Sequence, residues 1–203
     1  MDRIIDISYR LKISHIGSSL TTYPILESIY ICKNPEDIVV LSAGHAGLAQ
    51  YVILEKMYGY NAEELYKKHW THPHRDIENG IVVSSGSLGC AILVATGIAF
   101  ASPHKKVYCI ISDGECAEGS VWEALAFSHI NNLTNLYIHV NMNGYSAYDT
   151  LDTKYLTDRL LSFNPSVKIW HTSSPDVPCM SGLKAHYHVM NSDDKDDILR
   201  IIN

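Results

Sequence analysis

Four polar, glycine-bearing stretches, each placed directly after a short apolar segment, constrain the fold of this 203-residue chain most strongly. They read SAGHAG, SSGSLG, SDGECAEG and NMNGYS. We predict the apolar segments before them to be buried strands. Helical patterns separate these strands, which favours a mainly parallel α/β sheet with helices on both faces. Ligands of such sheets bind beyond the carboxyl ends of the strands, so the four stretches are expected to form one site.

Hydrophobic periodicity and capping signals give the expected elements. The first predicted helix covers 23–32, with Thr22 as its cap and Pro24 in its first turn. Further helices are predicted at 46–58, 61–69, 88–101, 120–131, 152–162 and 193–202, the one at 88–101 being buried. Strands are predicted at 37–41, 81–84, 106–111, 136–140, 167–170 and 187–190.

Composition excludes several classes of protein. With 46% hydrophobic and 19% charged residues, the chain is expected to form one globular domain over residues 1–203. The net charge of −6, without a basic cluster, argues against a nucleic acid or an anionic membrane as partner. The five cysteines are scattered and lack C-x-x-C spacing, which favours reduced thiols and a cytoplasmic location. The first ten residues do not have the pattern of a signal peptide.

Asp113 and Asn143 are the candidate metal ligands. Each follows a predicted strand and is accompanied by a glycine, so neighbouring parallel strands would place them side by side. Carboxylate and amide oxygens, with a loop carbonyl for which Tyr145 is the candidate, would form half of an octahedral Mg²⁺ shell. Two diphosphate oxygens and a water would supply the other half. The competing interpretation is that DG and NG are ordinary turn-forming pairs.

The order of these segments resembles the transketolase family. SDGE followed by NMNG resembles the thiamine diphosphate fingerprint of that family. Four other segments are similar to its motifs and occur in the same order: KISHIGSSL at 12–20, LSAGHA at 41–46, His72-Pro73 and GSLG at 86–89. The resemblance covers nearly the whole chain and is strongest over 12–146. It implies a thiamine-diphosphate-binding fold, and within it the domain that binds the diphosphate (the PP domain).

The resemblance also implies roles for individual residues. The implied ligands of Mg²⁺ (or Ca²⁺) are Asp113, Asn143 and the carbonyl of Tyr145. The residues implied to contact thiamine diphosphate are His45, Gly86, Leu88, Asp113, Gly114, Glu115, Asn143 and Tyr145. The residues implied to act in catalysis are His15, His72, Glu118 and His186, with Glu118 near a dimer interface. His188 is an alternative to His186.

The sequence departs from the family pattern in several places. Ser112 replaces the first glycine of the metal motif, while Ile16 and Ser87 replace prolines. Residues 173–185 lack the Lys-Gly-Lys-Gly element. The chain ends at Asn203, where a full-length transketolase continues into the pyrimidine-binding domain that supplies the activating glutamate. We therefore expect a separate pyrimidine-domain subunit, in a heterotetramer with two copies of each chain.

Three functions remain open from the sequence. The first is transfer of a two-carbon ketol unit between sugars or sugar phosphates, which the histidines of SAGHAG and KISHIGSSL favour. The second is a subunit of a 2-oxo acid decarboxylase or dehydrogenase that uses the same cofactor. The third is a non-catalytic binding or regulatory paralogue, against which the retained metal and histidine motifs argue. A serine hydrolase is not indicated, because the sequence does not contain the G-x-S-x-G motif of the nucleophile elbow. A zinc site at His72-Pro73-His74 is not indicated either, because no third ligand lies at convincing spacing.

Overall fold

A four-stranded parallel sheet organises the molecule. The computed structural model describes residues 1–146 and 148–202. The strands lie in chain order: β1 (Ile38–Leu41), β2 (Val107–Ser112), β3 (Leu136–Met142) and β4 (Lys168–His171). In the register, Ser112 of β2 pairs with Asn141 of β3. The carboxyl ends of these two strands, and the loops that follow them, therefore lie side by side.

Helices cover both faces of the sheet. They are α1 (Asp2–Leu11), α2 (Ile16–Cys32), α3 (Gly47–Tyr58), α4 (Ala62–His69), α5 (Cys90–Ala101), α6 (Gly119–Ile130), α7 (Thr153–Phe163) and α8 (Ser192–Ile202). Leu41 and Ile110 belong to one core, shared with α1–α4 and α8. Val40 and Ile111 belong to a second core, shared with α5–α7. This alternation confirms the predicted α/β fold, because successive strand residues face opposite sides of the sheet.

Two predicted strands are wrong. In segment 81–84, Ile81 forms only an isolated antiparallel bridge with Asp76, and the segment runs beside the loop that contains Pro73. The backbone of Ile81 hydrogen-bonds with that of Asp76 across a local turn, in which Gly80 has a φ of +80°. Segment 187–190 pairs with no strand of the described chain, and a 3₁₀ helix (Leu183–Tyr187) occupies its start. Short apolar runs of this kind carry no signal that separates strand from buried loop.

The N-terminal helices differ from the prediction. Helix α1 was not predicted, although Ile4, Ile5 and Ile7 are fully buried on its inner face. Helix α2 begins at Ile16, so Pro24 lies inside it. Thr22 is not its cap: the Thr22 hydroxyl accepts a hydrogen bond of 3.0 Å from the Asn141 amide. Burial of side chains on both sides of Pro24 offsets the hydrogen bond that proline removes.

Helix α5 is buried on one side only. Its residues are apolar all round, a pattern typical of helices enclosed on every side. Ile92 and Ala95 are fully buried, yet Leu93, Val94 and Phe100 are 43%, 46% and 57% exposed. The prediction of a buried helix is therefore correct for the inner side and wrong for the outer one. Among the described residues, no helix has both the length and the apolar character needed to cross a membrane.

Candidate active site

The Asp113 carboxylate joins the loops that follow β2 and β3. Its Oδ2 accepts a hydrogen bond of 2.6 Å from the Gly144 N–H, and its Oδ1 accepts one of 2.9 Å from the Gly114 N–H. The side chain is almost fully buried, and burial raises the pKa of Asp113 to about 6 despite these bonds. A divalent cation beside this carboxylate would favour its charged form. Asp113 therefore lies next to the NMNG segment, as the sequence predicts.

The other two candidate ligands lie on the same loop. The Asn143 side chain carbonyl accepts a hydrogen bond of 3.0 Å from the Tyr145 N–H, which fixes the turn. A Cβ atom added to Gly114 would lie 3.1 Å from the Ser146 Cα and 3.6 Å from the Tyr145 carbonyl oxygen. The two loops thus approach so closely that only glycine fits between them without a shift. Asp113, Asn143 and Tyr145 thus lie on two loops in contact, and the hard oxygen donors that they offer suit Mg²⁺ or Ca²⁺.

A polar network holds the end of β3 against α2. The Asn141 amide donates to the hydroxyls of Thr21 and Thr22, at 2.9 and 3.0 Å. The Thr172 hydroxyl, just after β4, donates to the Asn141 carbonyl. Because Asn141 is buried, these bonds satisfy all of its polar atoms that point into the core. The network fixes Asn143, two residues further on, relative to the start of α2.

A cavity of about 180 Å³ opens above these loops. Its walls bring together most of the residues that the resemblance implies. The lining residues are His15, Ser18, His45, His72, Gly86, Leu88, Ser112, Gly114, Asn143, Tyr145, Ser146 and His186. Segments from both ends of the chain therefore meet at one place. The roles of these residues remain predictions.

Gly44 and Gly86 let two of the motif loops touch. A Cβ atom on Gly44 would lie 2.5 Å from the Gly86 backbone nitrogen, closer than side chains are found to backbone. Gly86 itself has a φ of +129°, and a Cβ there would meet the His72 ring at 2.9 Å. These contacts explain the glycines of SAGHAG and SSGSLG, since the backbone must approach closely at both positions.

Three of the cavity histidines form a cluster. The rings of His15 and His186 lie edge to face, 4.3 Å apart between centroids, and His45 lies 5.9 Å from His186. Burial, and then the neighbouring His186, lowers the pKa of His15 to about 4 and that of His45 to about 3. Burial also lowers the pKa of His186. All three rings are therefore neutral at physiological pH, so each can donate one hydrogen bond and accept another.

His186, rather than His188, reaches the cavity. The His186 carbonyl accepts a hydrogen bond of 3.0 Å from the His15 N–H, which brings the two rings together. His15 starts α2 with a φ of +62°, an uncommon conformation for a residue with a side chain. His188 points elsewhere, with its Nε2 2.8 Å from the Asp194 carboxylate.

Glu115 does not belong to the described cavity wall, which corrects its predicted contact with the cofactor. Its side chain is fully buried, and its Oε1 accepts hydrogen bonds from the Ser42 hydroxyl and the Gly89 N–H. Gly89 caps α5, so the carboxylate lies against the N-terminus of that helix. The side chain points into the core, where its carboxylate accepts hydrogen bonds from these two buried donors. Glu115 thus supports the GSLG turn from below.

Glu118 is likewise absent from the described wall. It is exposed at the N-terminus of α6, and its Cβ lies 2.8 Å from where a Cβ of Gly89 would be. Its predicted role at a dimer interface depends on a partner protein, so it stays a prediction. Conversely, the sequence prediction missed Ser18, Ser112 and Ser146 as cavity residues. Each lies within one of the quoted motif segments, and that position was the available signal.

The residues present fit both a divalent cation and a diphosphate. The cation would be held by the oxygens of Asp113, Asn143 and Tyr145. The diphosphate would lie against Gly114, where the missing side chain leaves room for an anion to approach backbone. His45, with its ring facing the same cavity, could donate a hydrogen bond to a phosphate oxygen. The small cavity volume matches only part of a cofactor of that size, since pockets that enclose such ligands measure about 300–1,000 Å³.

Comparisons with known proteins show the family of this chain. The family described as "Transketolase, thiamine diphosphate binding domain" matches residues 14–175. One of the subunits of the apulose-4-phosphate transketolase of Phocaeicola vulgatus is 27% identical, over 98% of this chain and 72% of that protein. The 6-deoxy-6-sulfo-D-fructose transketolase subunit SqwG of Clostridium sp. is 31% identical, over 82% of this chain and 68% of that protein.

Longer relatives match over a smaller share of their length. Human transketolase is 34% identical over 62% of this chain, but the match covers 22% of the human protein. The structure of transketolase from Leishmania mexicana superposes with a TM-score of 0.74 at 21% identity, over 97% of this chain and 39% of that one. This likeness shows the fold.

The fold is a parallel α/β sheet with a polar cavity at the carboxyl edge of its strands. The chain belongs to the transketolase family, in its thiamine diphosphate binding domain. The names of two relatives identify them as subunits, so a partner subunit is implied for proteins of this kind.

Proposed function

We propose that this chain, as one domain over residues 1–203, is the diphosphate- and metal-binding subunit of a two-component transketolase-like enzyme. The enzyme transfers a two-carbon ketol unit between sugars or sugar phosphates. The hydrogen bond from Gly144 to Asp113 carries the proposal, because it joins the two loops whose oxygens would hold Mg²⁺. Thiamine diphosphate, when bound, supplies the electron sink for bond breaking beside a carbonyl.

The chain's own residues support this chemistry. Asp113 and Asn143 would hold the metal, and Gly114 would let the diphosphate approach the backbone. His15 and His186, neutral and in contact, could hold substrate hydroxyls and move protons at them. The cytoplasmic location is also a proposal, supported by five cysteines that are all free thiols.

An exposed apolar surface on α5 and α6 supports a partner subunit. Its exposed apolar residues are Leu93, Val94 and Phe100 of α5 and Phe127 and Ile130 of α6. We call this the α5–α6 surface. The rings of Phe100 and Phe127 pack on each other, with centroids 5.6 Å apart. Contiguous apolar surface of this kind marks protein–protein contacts, and α5 starts next to Leu88 in the cavity wall. The expected occupant of this surface is a pyrimidine-domain subunit, in a heterotetramer with two copies of each chain.

Reconstitution tests the function. We expect the chain alone to bind thiamine diphosphate with Mg²⁺ weakly, as measured by isothermal titration calorimetry. Mixed with a pyrimidine-domain subunit, it should gain ketol-transfer activity by at least about 100-fold, since that subunit supplies the activating acid. Transketolase structures from Pichia stipitis contain xylulose 5-phosphate or fructose 6-phosphate, so these ketoses are the first donors to test.

The outcomes of that assay separate the candidate functions. Full activity of the chain alone would contradict the two-component arrangement. Cofactor binding by the mixture without ketol transfer, but with decarboxylation of a 2-oxo acid, would favour the second class of thiamine enzyme. Absence of metal-dependent cofactor binding in the mixture would leave only the non-catalytic role. Light scattering of the mixture gives the mass, and therefore the number of copies.

A charge on the α5–α6 surface should weaken assembly. We expect Val94→Glu to lower the affinity for the pyrimidine-domain subunit by at least about 10-fold, because a carboxylate would be buried without a partner. The matched control is Ile31→Glu on α2, where the side chain is 66% exposed and lies on another helix. Analytical ultracentrifugation measures both. Equal affinities of the two variants would exclude this surface as the contact.

A further inference from the structure

Three side chains of metal-binding type meet outside the cavity, in the C-terminal part of the chain. They are Cys179 in a 3₁₀ helix (Pro178–Met180), His188, and Asp194 in the first turn of α8. Each offers one candidate ligand atom, and these atoms all lie within 4.8 Å of one another. All three side chains are partly buried, so the group is shielded from bulk water without being closed to ions.

The carboxylate at the centre of this group is held in place by the backbone. The Asp194 Oδ2 accepts a hydrogen bond of 2.9 Å from the Asn191 N–H, and the Asn191 side chain accepts one of 2.9 Å from the Asp194 N–H. This reciprocal pair caps α8 and needs neither a thiol nor an imidazole. The His188 Nε2 nevertheless lies 2.8 Å from the same oxygen, and Cys179 approaches it from another element. Helix capping therefore accounts for Asp194, but not for Cys179 or His188.

We propose that Cys179, His188 and Asp194 bind a Zn²⁺ ion, with water in the fourth position. A thiolate, an imidazole and a carboxylate form a ligand set of the kind that zinc takes, whereas Mg²⁺ prefers oxygen ligands alone. Tetrahedral zinc with bonds of about 2.0–2.3 Å separates its ligand atoms by roughly 3.5 Å. His188 and Asp194 would move apart by less than about 1 Å to admit the ion.

The charges around the group agree with a cation. A thiolate and a carboxylate together neutralise Zn²⁺, and the thiol proton is released to solvent when the ion binds. Asp193 lies on the same helix and adds negative potential, whereas Asp197 forms an ion pair of 3.1 Å with Arg200. The neighbouring Lys195 turns away, with its Nζ 3.6 Å from Asp6 and 4.9 Å from the centre of the Tyr9 ring.

The ion would fix the segment that carries His186. Two of its ligands, Cys179 and His188, lie on either side of that residue in the chain. The segment's described backbone contact with the cavity is the hydrogen bond of the His186 carbonyl with the His15 N–H. A zinc ion would therefore anchor both ends of the segment to α8. This role is structural and independent of whether the enzyme uses thiamine diphosphate.

Cobalt provides a spectroscopic test of the site. The full chain, stripped with EDTA and dialysed, is titrated with Co²⁺, and we expect thiolate-to-cobalt charge-transfer absorption that saturates at one equivalent. Zn²⁺ should then displace the cobalt and remove the band. Saturating Zn²⁺ should raise the Tm by about 3 °C or more, since the ion binds the folded state.

Variants assign the ligands. Cys179→Ser should abolish the charge-transfer band, and Asp194→Asn, which keeps an oxygen to cap α8, should lower the cobalt affinity by at least about 10-fold. Cys32→Ser, which removes an exposed thiol on α2, is the matched control and should leave the band unchanged. No cobalt binding, binding without a thiolate band as expected at the cavity histidines, or a band that survives in Cys179→Ser would each overturn the proposal.

Discussion

Replacing Asp113 with asparagine should lower Mg²⁺-dependent binding of thiamine diphosphate by at least about 100-fold. The substitution removes the negative charge at the centre of the candidate metal site. It also puts an NH₂ group where one carboxylate oxygen accepts from Gly144 or Gly114, so two donors would face each other. Loss of residues that merely orient a metal ligand costs about 10–100-fold in affinity, and loss of the ligand itself should cost more.

The experiment compares cofactor binding and ketol transfer in the reconstituted complex at several Mg²⁺ concentrations. Asp158→Asn is the matched control, because it makes the same chemical change at an exposed position on α7. Circular dichroism with thermal unfolding checks that the Asp113→Asn chain is folded. If a folded Asp113→Asn chain bound the cofactor as tightly as the control, the assignment of the metal site would be wrong.

The position of this site was predictable because it depends on strand order and on glycine. Asp113 and Asn143 each follow a strand, and neighbouring parallel strands place their loops together whatever the sequences between them. Gly44, Gly86 and Gly114 mark places where an added side chain would crowd a neighbouring loop. Signals of this kind are local in the sequence, so a single chain is enough to find them.

Contacts between distant segments were not predictable in the same way. The Cys179, His188 and Asp194 group has spacings of nine and six residues, which match no zinc motif. Its formation depends on how α8 packs against the segment 179–188. The extent of α2 was missed for a related reason, because Pro24 marks a helix start locally while tertiary burial carries the helix through it.

Glu115 shows where motif resemblance gives the wrong orientation. The residue lies two positions after Asp113, within the segment that carries the metal ligand, so proximity in the sequence favoured a cofactor contact. In the fold, Gly114 and Glu115 lie in a 3₁₀ turn (Gly114–Ala117), in which successive side chains point about 120° apart. Gly114 faces the cavity, and Glu115 faces the buried hydroxyl of Ser42 and the first N–H groups at α5. Neighbouring positions of this turn therefore differ in role: Gly114 faces the cavity, whereas Glu115 supports the GSLG turn.

Removal of this support should destabilise the chain strongly. We expect Glu115→Ala to lower the free energy of unfolding by about 3 kcal/mol, because the Ser42 hydroxyl and the Gly89 N–H lose their acceptor and a buried cavity remains. Glu115→Gln should cost less, since its amide oxygen can still accept from both groups. Urea unfolding of the metal-free chain in EDTA measures the three stabilities, and a Glu115→Ala chain as stable as the wild type would contradict the assigned role.

The glutamine variant should also change how stability depends on pH. Burial raises the pKa of Glu115, and within the described part of the chain its Oε2 has no hydrogen-bond partner. A carboxyl with a raised folded-state pKa stabilises the fold fully below its ordinary pKa, and that contribution is lost as pH rises through the raised value. The wild type should therefore lose stability relative to Glu115→Gln as pH increases, by at most about 1.4 kcal/mol per pH unit. Asp113 titrates in both chains and cancels from the difference. A difference that did not change with pH would mean that Glu115 binds the same number of protons in the folded and unfolded chains, and would contradict a raised pKa in the folded state.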